Sequence, residues 1–322
     1  MIQLPLAQRI HSIPGSPKAL EDNTMFARRH PVLFSLLVMW AIGAIVIISI
    51  ALLFFLGKSE PSLSFGEKVG VVEIKGVITD PKPVLAHLRS LRRNKDVKAI
   101  VLRINSPGGA VGPSQEIYEE VKKTTRVKTV VVSMGAVAAS GGYYVGAAAD
   151  HVMANPGTIT GSIGVIAKFP NVEELFKKIG ISANVLKSGE YKDVGSPLRK
   201  MTDEEKELLQ SFLGNLHEQF IRAVAEGRKI PEEKVRAIAD GRILTGEDAK
   251  KLGLLDSLGN LEDAITLAAK LAGIEGEPSV FYVKEKKFSL LEYIFGSSLT
   301  EMLGEITSEA FHYGYLWTPA RE

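Results

Sequence analysis

The 322-residue chain contains no cysteine. That removes a disulfide framework, thiolate metal sites and a cysteine nucleophile together. It fits an oxidising compartment without requiring one. Long runs of one charge sign are also missing. The 39 basic and 37 acidic residues leave a formal net charge of +2. A nucleic-acid surface needs concentrated basic charge, so no nucleic-acid partner is expected. No His-x-x-x-His pair and no dense carboxylate cluster occur, so neither a catalytic metal nor another cofactor is expected. The glycine-bearing stretch Asn155–Val165 lacks a Gly-Lys-Ser/Thr ending, which argues against a phosphate-binding loop.

Apolar length is what the chain has. Val32 to Leu56 is an uncharged run of 25 residues. As a helix it spans about 37 Å, enough to cross a hydrocarbon layer of about 30 Å with some tilt. A cleaved signal peptide has an apolar region of about 7–15 residues and a small-x-small ending. This run is longer and closes with Phe54-Phe55-Leu56-Gly57-Lys58, so a retained anchor over 31–57 is the expectation. Arg9, Lys18, Arg28 and Arg29 precede the span, and only Lys58 and Lys68 follow closely. The positive-inside rule then puts the N-terminus in the cytoplasm and the later domain outside the cell membrane.

Residues 1–30 carry Pro5, Pro14, Gly15 and Pro17 and read as a cytoplasmic tail, and 58–67 as a linker. From 68 to 285 short apolar runs alternate with amphipathic segments. Strands are expected at 69–78, 97–104, 127–133, 151–154 and 279–283. Helices are expected at 83–91, 115–123, from near 140, and at 172–179. Thr202 and Glu205 form a capping-box signature opening a helix to about Gly227. Pro231 and Thr245 each start another, and 261–271 is a further helix. Strands alternating with helices imply an α/β fold with a largely parallel core. In the C-terminal segment 286–322, Leu291 to Ala310 follows helical spacing. Phe311, Tyr313, Tyr315 and Trp317 then crowd the end. Either packing on protein or contact with the outer leaflet accounts for them.

Four segments could carry chemistry. In Ala136–Tyr144 (AVAASGGYY) Ser140 sits among small residues between a Val-rich strand and a helix start. That context suits an exposed nucleophile, although it is not Gly-x-Ser-x-Gly, and close packing of a small-residue helix start explains it equally. In Asn105–Gly109 (NSPGG) two glycines can free backbone N–H groups for one anionic oxygen, with Gly109 and Gly141 as candidate donors. An ordinary Pro-Gly turn is the alternative. A serine nucleophile needs a base. His11 and His30 fall across the membrane. His87, His217 and His312 have no companion motif, and His151 next to Asp150 cannot form a relay by adjacency. Lysine remains, provided it is neutral. Lys192 lies in Ser188–Asp193 (SGEYKD), where a solvated loop residue is the plain reading. Ser162 could orient a lysine amine or simply serve a turn.

Taken together, NSPGG at 105–109, SMGAVAASGGYY at 133–144, ANPGTITGSIGV at 154–165, SGEYKDVGSPLR at 188–199 and GRILTGEDAKKLGLLD at 241–256 resemble the signal peptide peptidase A family. Those are Ser–Lys proteases of the Clp-protease/crotonase fold. The resemblance covers roughly 68–285. It implies Ser140 as nucleophile, Lys192 as general base, Ser162 as the serine that positions the amine, and Gly109 in the oxyanion loop. It further implies a membrane-anchored, ring-like homo-oligomer that degrades remnant signal peptides or other apolar peptides, with Lys192 able to serve a neighbouring subunit's Ser140. Rival readings are a same-fold protease with one membrane-protein substrate, an acyl-CoA enzyme, and a non-catalytic membrane scaffold.

Overall fold

The computed structural model describes residues 30–56, 67–283 and 313–316, which fall into two units. The tail, the linker and the helical spacing of 291–310 lie outside the described residues. Helix α1 (Pro31–Leu56) forms the first unit. Pro31–Ile50 within it is long and apolar enough to cross a membrane, and none of that stretch is buried. Leu33, Leu36, Met39 and Trp40 are all more than half exposed, so α1 is not the core helix of a soluble domain.

The second unit is built on a sheet with strand order β10-β1-β2-β4-β5-β9. These are β1 (Lys68–Lys75), β2 (Val97–Ser106), β4 (Thr129–Ala139), β5 (His151–Ala154), β9 (Ser257–Leu258) and β10 (Ser279–Tyr282). All neighbours on this path run parallel. Parallel strands need covered faces, and period-two alternation serves both. Ile100, Leu102 and Ile104 of β2 enter one core with Leu85, Leu88 and Leu91 of α2 (Lys82–Arg93) and Ile117 and Val121 of α3 (Val111–Thr125). Ala99 and Val101 enter the other, against Ala264, Ile265 and Ala268 of α9 (Leu261–Leu271). Burying one such aliphatic side chain contributes about 1.5–3 kcal/mol.

The remaining elements are β3 (Gly108–Ala110), α4 (Gly141–Gly146), β6 (Ile159–Gly161), β7 (Ile166–Ala167), α5 (Glu173–Lys178), α6 (Asp203–Arg228), α7 (Glu232–Arg236), β8 (Ile243–Thr245), α8 (Gly246–Lys251) and β11 (Tyr313–Leu316). The expected capping box at Thr202–Glu205 is present in both directions. The helix ends at Arg228, one residue from the expected end, and Gly227 is a packing glycine. A Cβ there would lie 2.1 Å from the Ala147 carbonyl oxygen.

Two differences bear on the site. Strand β4 does not end near Ser133 but continues to Ala139. Its second half, GAVAA, has only Val137 as a strand former, and neighbours hold it instead. Asn105 Oδ1 accepts the Val137 N–H, and β6 pairs alongside in parallel. The hydroxyls of Thr158 and Thr160 donate to the carbonyls of Gly135 and Ala138, each at 2.7 Å. The second difference is β11. Residues 313–316 form a strand, paired antiparallel with β3 and with β7.

Candidate active site

Ser140 sits where β4 passes into α4, at the carboxyl end of a central parallel strand, where open α/β sheets place ligands. Its backbone has φ 52° and ψ −119°, a conformation that costs a non-glycine residue about 1–3 kcal/mol. Surrounding contacts impose it. The Ser140 N–H donates to Gly161 O at 2.9 Å, and Tyr144 N–H donates to Ser140 O at 2.8 Å. Helix α4 is pinned in turn. Tyr143 is fully buried with its hydroxyl on Leu254 O at 3.0 Å, and burial drives its phenol well above the ordinary range. Tyr144 packs between Tyr118 and Phe220 with ring centres about 5 Å away. A strained strand-to-helix turn is how a serine hydroxyl is held at a sheet's end.

Ser162 lies beside it. Ala139 pairs with Gly161 across β4 and β6, so the two serines are the next residues along adjacent strands. Paired strands lie about 4.8 Å apart. Ser162 also has a positive φ of 51°, and its N–H is tied to Arg242 O at 2.8 Å. Thr158 and Thr160, whose hydroxyls serve β4 carbonyls, are structural.

The NSPGG loop closes on the same corner. Ser106 stands opposite Ala138, and a Cβ on Gly142 would lie 2.8 Å from Ser106 O. Ile78 fixes β3: its N–H donates to Gly108 O and its carbonyl accepts from Ala110 N–H, both at 2.8 Å. Successive residues of a strand point their polar groups to opposite sides. Gly109 therefore turns its N–H and C=O away from Ile78, towards β11, where it stands opposite Tyr315. Gly141 opens α4, where the helix N-terminus favours negative charge.

Lys192 is placed differently. It is exposed, in a run of turns on a segment without strand or helix after α5. Among the described residues its ammonium group makes no hydrogen bond or ion pair, with Ser140, Ser162 or anything else. The segment leading to it exposes Ile179, Ile181, Val185, Leu186 and Tyr191. Among the described residues, His151 offers no substitute at this corner. His151 pairs with Val131, nine residues before Ser140 along the strand direction, which at about 3.3 Å per residue is roughly 30 Å away. Its Nε2 meets Ser257 Oγ at 2.8 Å, and burial lowers its pKa. Among the described residues no group of three or more His, Asp or Glu is arranged for a metal ion.

The strand β11 supplies what sequence reasoning missed. It lies between β3 and β7, with Gly314 opposite both Ala110 and Ile166. An extended chain therefore fits directly beside the candidate oxyanion loop. The crowding of aromatics at the end was the only sequence signal, and it does not encode a strand partner.

Residues 122–275 match peptidase family S49, and residues 70–159 match the Clp protease family. A Synechocystis sp. protein named as a protease is 46% identical over 211 residues, covering 65% of this chain and 76% of that protein. The chain belongs to peptidase family S49. A Methanocaldococcus jannaschii protein, also named as a protease, is 38% identical over 221 residues, covering 68% of this chain and 71% of that one. An Enterococcus faecium protein named as the signal peptide peptidase SppA is 35% identical over 213 residues, covering 62% of each. This S49 chain is thus a serine-type protease with a Clp-protease-like α/β domain and one apolar N-terminal helix.

Proposed function

We propose that this S49 protease is a membrane-anchored endopeptidase that degrades remnant signal peptides after signal peptidase has released them. Ser140 is its nucleophile and Lys192 its general base. The strained turn at Ser140 carries the reading, because it sets a hydroxyl beside Ser162 and the glycine loop of β3. Ser140 Oγ attacks the scissile carbonyl while a neutral Lys192 amine accepts its proton. The Gly109 and Gly141 N–H groups receive the oxyanion, each such donor contributing about 10²–10³ in rate. Collapse of the intermediate expels the amine, which takes the proton from Lys192, and water then releases the acyl group by the same route. Ser162 orients the lysine amine.

A lysine base must be desolvated to be neutral near pH 7. Lys192 is exposed on its own chain, among exposed apolar side chains. A ring-like homo-oligomer in which a neighbour covers this segment meets that need, with Lys192 serving the next subunit's Ser140. The substrate binds as an added strand between β3 and β7, and the position of β11 supports this mode. Helix α1 anchors the chain with its N-terminus in the cytoplasm, leaving the catalytic domain outside the cell membrane.

The test is cleavage of a synthetic signal peptide in detergent, with intact membrane proteins as competing substrates. Ser140→Ala and Lys192→Ala each abolish cleavage with folding retained. Full activity in either variant would sink the dyad. Preference for an intact membrane protein over the peptide would overturn the substrate assignment.

A further inference from the structure

The segment carrying Lys192 has no regular secondary structure, yet four charged side chains fasten it. Asp193, the next residue, has one carboxylate oxygen on Lys187 Nζ at 2.5 Å and the other on Arg199 Nε at 2.9 Å. Arg199 Nη2 also donates to the Asp193 backbone carbonyl at 3.3 Å. The far side of the same guanidinium grips Glu205 through both nitrogens, at 2.8 and 2.5 Å. Glu205 is buried and accepts the Thr202 N–H at 3.0 Å, so it belongs to the capping box of the 26-residue α6. A planar five-donor fork holds one carboxylate bidentately while its remaining N–H groups reach a second; an ammonium lacks that fixed geometry.

Of the three cations in 187–199, Lys187 and Arg199 occupy Asp193, and Lys192 is left without a carboxylate partner among the described residues. A free carboxylate beside Lys192 would stabilise its charged form, which a general base cannot use. Both oxygens of Asp193 are claimed by other cations. Arg199 first and Lys187 second hold that carboxyl below the usual range.

We propose that Arg199 is a positioning residue for Lys192: by bridging Asp193 to Glu205 it fixes the lysine's segment to α6 and keeps the neighbouring carboxylate off the amine. This rests on Lys192 being the general base. The other charged groups against the segment are Glu190, whose backbone carbonyl accepts from Lys187, and Glu173 of α5. Glu173 accepts the Lys200 N–H and pairs with Lys177. Neither carboxylate bonds to the Asp193 or Arg199 side chain, and the Lys200 backbone carbonyl accepts from Arg199 Nη1 at 3.2 Å.

The experiment measures kcat, KM and the acidic limb of the pH–rate profile on a peptide substrate, with thermal unfolding alongside. Lys192→Ala is run first, and its inactivity secures the underlying reading. Arg199→Gln then lowers kcat about tenfold with KM little changed, and moves the acidic limb up by about one pH unit. Adding Asp193→Asn to Arg199→Gln returns the limb to its wild-type position, because the uncompensated carboxylate is gone. Arg199→Lys, which keeps charge but not the fork, falls between. An acidic limb that stays put in Arg199→Gln, or one that Asp193→Asn fails to restore, overturns the proposal while leaving the dyad standing. If Arg199→Gln does not fold, Arg199→Lys and the double variant decide it by the same limb. An active Lys192→Ala would instead bring down the reading beneath.

Discussion

Gly109→Ala isolates the oxyanion loop from the nucleophile. A Cβ on Gly109 would lie 2.1 Å from the carbonyl oxygen of Ile78, 2.5 Å from its nitrogen and 2.6 Å from its carbonyl carbon. All three are backbone atoms, so no side-chain rotation relieves the clash. Ordinary contact begins near 3.4 Å, so β3 and Ile78 must separate by about 1.3 Å. The two 2.8 Å hydrogen bonds between them do not survive that displacement. At about 1 kcal/mol each the stability loss is about 2 kcal/mol, which a domain worth about 5–15 kcal/mol tolerates. The chemical loss is larger. A donor displaced by about 1 Å costs about 10²-fold, and one lost outright 10²–10³-fold. Steady-state cleavage of a fluorogenic apolar peptide, with a melting curve on the same sample, reads both. Gly112→Ala is the control, since a Cβ there meets nothing within 4 Å on α3; its activity stays at wild type. A folded Gly109→Ala protein with kcat within about threefold of wild type would refute the role of this loop.

Gly314→Pro tests whether β11 lies in the peptide's path. Gly314 pairs with strands on both sides, and a proline cannot remain between two ladders, so KM falls with kcat unchanged. An unchanged KM would place peptide binding elsewhere. Acid should loosen the Lys192 segment before the sheet. Arg199, foremost, depresses Glu205 to about 2 from an ordinary 4.5, and Asp193 is likewise held below its ordinary 3.8. Lowered folded-state values mean the pairing is fully stabilising above those ordinary values and is lost as pH falls towards 2. Pepsin at pH 3 then cuts within 187–200 at a rate that rises steeply below pH 4; cutting in β2 or β4 first would contradict this.

The sheet was legible because its strands are buried on both faces. Within Val97–Ile104 the run Ala99-Ile100-Val101-Leu102 shows that as uninterrupted apolar residues, and Thr202–Glu205 announces α6 through capping chemistry alone. What could not be read was held by tertiary contact. The last five residues of β4 are small and unpatterned, and threonine hydroxyls from a later segment keep them extended. The strain at Ser140 depends on Gly161 O, and no property of Ser-Gly-Gly encodes it. Strands of two to four residues, such as β3, β7 and β11, are too short for periodicity, and β11 pairs with β3 across some two hundred residues. Ser140 and Ser162 look unrelated in sequence, and the Ala139–Gly161 register makes them neighbours. Lys192 was legible only through the resemblance, and on its own chain it remains a solvent-facing lysine.

Lys192 therefore decides the account. Ser140→Ala and Lys192→Ala proteins are each inactive. Mixed in equal amounts under subunit exchange that native mass spectrometry verifies, they regain about a quarter of wild-type peptidase activity, because that share of junctions joins an intact Ser140 to an intact Lys192 from the next subunit. Verified mixed oligomers without activity would contradict a dyad assembled across subunits.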